Sequence, residues 1–147
     1  QKGFDNPAWG ERTTPDAEAN IERLLRHWRE TNRPVFIVQH LSLEPGSTLA
    51  PDAPGCELKD IVKPQPGEPL IQKNVNSAFI GTDLDQHLRD SGIDTLVVVG
   101  LTTDHCVSTT TRMAGNLGFR AYVVADATAT SRASRPRSAS TTSGTSS

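Results

Sequence analysis

The alternation of apolar and polar positions divides the chain into helices and strands. Ile21, Leu24, Leu25 and Trp28 recur at i, i+3, i+4 and i+7, one face of a helix expected over residues 15–31. Thr14 supplies a cap, and Pro15 sits in the first turn, where its missing N–H has no intrahelical partner to lose. Pro34 stops the helix, and Val35-Phe36-Ile37-Val38 predicts a buried strand. Residues 40–67 are polar, lack periodicity and are broken by Pro45, Pro51, Pro54, Pro64 and Pro66. A connection that long is usually functional or disordered. Pro69-Leu70-Ile71-Gln72 predicts a short strand with Lys73 at its end. Thr82-Asp83 caps a second helix with Leu84 and Leu88 facing inward, ending at Ser91-Gly92. Thr95-Leu96-Val97-Val98-Val99 is the strongest strand, and its unbroken apolar run predicts cover on both faces. A third helix carries Val107, Thr110, Ala114 and Leu117 and closes at Gly118. Ala121-Tyr122-Val123-Val124 is the last strand, ending at Asp126.

Helix, strand, strand, helix, strand, helix, strand is α/β alternation. With right-handed crossovers it predicts a three-layer, doubly wound parallel sheet with helices on both faces. Residues 131–147 differ: seven Ser, three Thr and three Arg with no branched aliphatic or aromatic side chain. Such a segment cannot bury enough surface to fold, so a domain over residues 1–130 and a disordered tail over 131–147 are expected.

Composition narrows the function classes. A formal charge of -2 gives no basis for a nucleic-acid or membrane-surface partner. No apolar run approaches a membrane span, and no basic-then-apolar leader opens the chain. The two cysteines, Cys56 and Cys106, form no Cys-x-x-Cys pair, and a chain with several apolar strands has no need of a disulfide. A cytoplasmic protein with free thiols is expected. A nucleotide-binding domain fits the alternation, but no Gly-x-Gly-x-x-Gly or phosphate-loop pattern follows any strand.

In open parallel sheets, sites form beyond the carboxyl ends of the strands. Three polar segments stand there: Gln39 to Ser42, Lys73 to Ser77, and Gly100 to Cys106. Cys106 falls where a strand has turned and a helix begins. The helix dipole and free N–H groups at that point favour thiolate and can hold a substrate oxyanion. Lys73, at a neighbouring strand end, would favour thiolate further. His105 adjoins Cys106 and therefore points elsewhere on a helix. Asp104 complements the dipole, Asp126 caps a turn, and His40 is a loop residue or a substrate contact.

Gly100-Leu101-Thr102-Thr103-Asp104-His105-Cys106-Val107 resembles the Gly-x-x-Thr-x-x-Cys-Val signature of the isochorismatase-like cysteine hydrolases. Lys73 to Phe79, with Gly81-Thr82 beyond, looks like that family's lysine segment. Gln1-Lys2-Gly3-Phe4 is similar to the end of its opening Asp-x-Gln-x-x-Phe motif. The resemblance implies an Asp–Lys–Cys triad in which Cys106 attacks a carbonyl carbon of an amide or ureido C–N bond. Lys73 balances charge, and an aspartate shuttles the proton. It further implies an oxyanion hole at a cis peptide, Leu101–Thr102, using the Thr102 and Cys106 N–H groups. Phe79, His40 and Phe4 are the expected substrate contacts, and a homo-oligomer acting on a small molecule is expected.

The family's aspartate stands two residues before the position of Gln1, on a central strand absent from this sequence, so the neighbouring edges should be unpaired. The loop after the second strand offers His40, Asp52 and Glu57 but no His-x-His pair, so neither metal nor cofactor is expected. A vinyl-ether hydrolase or an inactive binding module on the same fold is the alternative.

Overall fold

The computed structural model describes residues 1–2, 16–101 and 103–129. Thr14, Pro15 and the expected tail lie outside them. Helix α1 spans Ala17–Glu30, β1 Ile37–His40, β2 Leu70–Lys73, α2 Leu84–Asp90, β3 Thr95–Leu101, α3 Ser108–Asn116 and β4 Arg120–Ala129. A single π-helical turn, Thr103–Val107, joins β3 to α3.

The three helices stop in the same way. Asn32, Gly92 and Gly118 have φ of 55°, 68° and 93°. At each stop the next N–H reaches back five residues: Arg33 to the Trp28 carbonyl, Ile93 to Leu88 and Phe119 to Ala114, all at 2.9 Å. Left-handed closure of this kind satisfies carbonyls that the helix end would otherwise leave bare. It also aims each chain directly into the next strand.

All strand pairing among the described residues is parallel, but the expected sheet is present as two halves. β1 pairs with β2, and β3 pairs with β4. Among the described residues no strand lies between β1 and β3, as expected for a sheet without its central strand. The Ile37 and Leu41 N–H groups donate to Pro69 and Lys73 of the β2 side at 3.0 and 2.7 Å. Strand alternation then turns the backbone groups of Val38 and His40 the other way, towards β3. In β3, the Asp94 carbonyl accepts from Arg120 at 2.8 Å, so Leu96 and Val98 face β4 and Val97 and Val99 face the gap.

Three expectations are corrected. β1 begins two residues later than predicted and runs through Gln39 and His40, because its ladder starts only where Ile37 meets Pro69. β3 is not covered on both faces: Thr95 and Val97 are exposed, for want of a neighbour on one edge. Asp126 does not end β4, which continues to Ala129 after a register jump between Val98 and Gly100.

Two apolar clusters flank the half-sheets. Ile71, Leu84, Leu88, Ala114 and Phe119 form one, between β2, α2 and α3. Val35, Ile37 and Leu58 form the other, under Leu25 and Trp28 of α1. Phe36 packs on the first and Ile37 on the second, so successive residues face opposite layers. Polar ties anchor the long loop to α1. Arg29 grips Glu68 through both carboxylate oxygens at 2.9 and 2.7 Å, and Lys59 meets Glu18 at 2.8 Å.

Candidate active site

The carboxyl ends of β1 and β2 and the π-turn after β3 meet at one point. Register sets the first pair: His40 and Lys73 are direct partners across the β1–β2 ladder. The same ladder brings the side chains of Gln39 and Gln72 together at 3.1 Å. Lys73 is only 5% exposed, so its ammonium must be satisfied by protein groups. It donates to the Val75 carbonyl at 2.8 Å, contacts His40 Nδ1 at 3.0 Å and lies 3.3 Å from Cys106 Sγ.

Cys106 is half-buried within the π-turn. Its sulfur has a second polar neighbour, Asn76 Oδ1, at 3.8 Å. As a thiol it can donate to that oxygen; as a thiolate it accepts from Lys73. Thr110 of α3 fixes the loop carrying Asn76: its hydroxyl oxygen accepts from the Ala78 N–H at 3.0 Å and its hydroxyl donates to the Asn76 carbonyl at 3.4 Å. The helix that positions the sulfur is thereby tied to the loop that follows the lysine.

His40 is held by its backbone as well as its ring. The Gln1 side-chain amide donates to the His40 carbonyl at 2.7 Å and accepts from the His40 N–H at 2.9 Å. One side chain thus occupies the two groups that a neighbouring strand's peptide would take. Burial holds the His40 imidazole below its ordinary pKa, and the positive charge of Lys73 adds to the effect; the Val75 carbonyl works against both.

The other expected residues are distributed as follows. Leu101 ends β3, opposite Ala129. Thr102, the other half of the expected oxyanion hole, and Phe4 lie outside the described residues. Phe79 stacks on Phe119 with ring centroids 6.0 Å apart and packs against the α2–α3 core. His105 is exposed, on the neighbouring position to the sulfur. Gln1 and Asn76 were not singled out as site residues, since a lone amide carries no signal until the fold brings its partner near.

A cavity of about 220 Å³ opens at this point, lined by Gln1, His40, Lys73, Leu101 and Cys106. A second, of about 340 Å³, includes Phe79. Leu25, Phe36, Val38, Val98, Val99 and Thr110 line both, so they form one apolar cleft between β1 and β3. Among the described residues no group of three or more His, Cys, Asp or Glu gathers as a metal site. No helix there is long and apolar enough to cross a membrane.

A thiol stands beside a buried ammonium at the carboxyl ends of parallel strands. The sequence profile of the isochorismatase domain matches residues 1–144. The isochorismatase family protein YrdC of Bacillus subtilis is 52% identical over 129 residues, covering 88% of this chain and 69% of its own. This chain belongs to the isochorismatase family. A crystal structure of a family member from Chromobacterium violaceum superposes with a TM-score of 0.85 at 45% identity, over 89% of this chain and 68% of that one. Named hydrolases are among the relatives. Ureidoacrylate amidohydrolase RutB of Pseudomonas savastanoi is 34% identical over 87% of this chain and 48% of its own. N-carbamoylsarcosine amidase of an Arthrobacter species is 40% identical over 54% of this chain and 30% of its own. The chain therefore spans about two thirds of YrdC and half or less of these two hydrolases.

Proposed function

We propose that this isochorismatase-family chain carries the nucleophile and charge partner of a cysteine hydrolase acting on a small-molecule amide or ureido C–N bond. One observation carries the proposal: the buried Lys73 ammonium lies 3.3 Å from the Cys106 sulfur. A cation at that distance favours thiolate over thiol. The thiolate attacks the carbonyl carbon, a C–S bond forms, and the C–N bond breaks as the leaving nitrogen takes a proton. Water then attacks the thioester-like intermediate, loses its proton and releases Cys106. The Thr102 and Cys106 N–H groups hold the oxyanion, while His40, Phe79 and Phe4 contact the substrate. Relatives named as an amidase and an amidohydrolase support the bond class.

The proton shuttle is the aspartate that the resemblance puts two residues ahead of Gln1. The apolar cleft between β1 and β3, with Gln1 at its mouth, supports a place there for the strand that would carry it. Residues 1–130 act as the hydrolase domain with 131–147 as a tail, in a cytoplasmic homo-oligomer. The free thiols of Cys56 and Cys106 and the exposed Tyr122 and Val123 support the last two points, which light scattering and cell fractionation test.

The direct test is iodoacetamide at pH 7 with adducts counted by mass spectrometry. Cys106 should react several-fold faster than an ordinary thiol at the same pH. A rate at or below that of the ordinary thiol removes the nucleophile assignment.

A further inference from the structure

The acceptors around Lys73 match its donors one for one. An ammonium has three N–H donors and no lone pair. Among the described residues, three acceptors stand around this buried group: the Val75 carbonyl, His40 Nδ1 and Cys106 Sγ, at 2.8, 3.0 and 3.3 Å. A 3.0 Å contact between an ammonium and a ring nitrogen is favourable only if that nitrogen offers its lone pair. Nδ1 offers it in the neutral tautomer that carries its proton on Nε2; burial and the Lys73 charge favour the neutral ring, and the Val75 carbonyl opposes them.

The ring is also fixed in place. The ladder pairs its residue with Lys73, and the Gln1 amide occupies both of its backbone groups. We propose that His40 is a positioning residue of this site, whose neutral ring accepts from Lys73 and holds the ammonium against the Cys106 sulfur. This rests on the assignment of Cys106 and Lys73 above and gives His40 a role that needs no substrate.

Removal of the acceptor leaves one N–H of a buried ammonium without a partner. The ammonium then turns towards whatever oxygen or water it can reach, and the sulfur loses its closest cation. Protonation of the ring has the same effect and adds repulsion. Burial and the Lys73 charge oppose that protonation. The described titratable group that touches the ring is Lys73 from β2; Cys106 of the π-turn contacts that same ammonium, and the Cys56 sulfur lies 3.9 Å from the His40 backbone carbonyl. The Lys59–Glu18 ion pair lines the same cavity. Lys73 is the cation that touches the ring, so it decides the local field.

The experiment measures the pH midpoint of iodoacetamide alkylation at Cys106 by mass spectrometry, with no substrate present. It uses the whole chain and the variants His40→Leu and His40→Asn, each checked for fold by circular dichroism. Leucine has similar bulk and no acceptor; asparagine places Oδ1 near the position of Nδ1 and does not titrate. His40→Leu should raise the midpoint by about one unit, a tenfold loss of rate below it, and His40→Asn should restore most of that loss. An unchanged midpoint in folded His40→Leu overturns the proposal, as does an asparagine variant equal to leucine. A wild-type midpoint like that of an ordinary thiol removes the nucleophile assignment itself, which separates the two failures.

Discussion

The mouth and the cleft behind it are built from the same strands and could hardly differ more. At the mouth, β1 and β2 end in a buried ammonium whose three donors all have acceptors, and His40 is held at both backbone groups. Two residues back, Val38 turns the same backbone groups into an apolar cleft, and Val97 and Val99 do so from the opposite side. The contrast teaches that the chemical end of this fold is organised by local register and one loop. The sheet's continuity depends on a further strand. The lysine needs only the β1–β2 ladder and the turn after β3 to reach the sulfur.

That comparison can be broken at either region. The largest effect should come from Cys106→Ala. Stoichiometric acylation by p-nitrophenyl acetate, which asks only for a nucleophile, should fall about 10⁴-fold or more in stopped-flow absorbance. A retained burst would place the reactive group elsewhere. Lys73→Met should come next: alkylation of Cys106 at pH 7 should slow about 10- to 100-fold, the scale of losing an opposite charge beside an ionised group. Equal rates would show that the helix-end N–H groups suffice without the cation.

Amide hydrogen exchange probes the cleft. Along β3 the Leu96 and Val98 amides, facing β4, should exchange about tenfold or more slowly than those of Val97 and Val99. Uniform protection would mean that the gap-facing edge is already paired. The smallest effect is on stability against pH. His40 has a folded pKa below its ordinary value, so the unfolded chain binds the proton more readily. Stability is then full above the ordinary imidazole range and declines as pH falls through it towards the folded value. Urea midpoints from pH 7.5 to 5 should show this decline, shallower in His40→Asn; a parallel slope assigns it to other groups.

Much of this was legible in the sequence. Gly92 and Gly118 marked two helix ends, and the apolar periods of α1 and β3 marked their elements, because those signals are local. Lys73 and Cys106 could be brought together from strand ends alone, since parallel strands gather their carboxyl ends on one side. The rest depended on contacts distant in sequence. Gln39 and His40 look like loop residues, yet they lie within β1, because pairing with Gln72 and Lys73 outweighs their polarity. Nothing in Thr103–Val107 signals a π-turn rather than an ordinary first turn. The apolar run of β3 spoke for burial on both faces, and was wrong because burial depends on a neighbour that no local pattern supplies.

The two-point hold of Gln1 on His40 has one more effect, on alignment. Any extended segment entering between the half-sheets finds the last rung of β1 already occupied, by a residue at the mouth itself. Its alignment is therefore decided at that end first, and a one-residue slip, which would exchange its two faces, is resisted before the remaining rungs close.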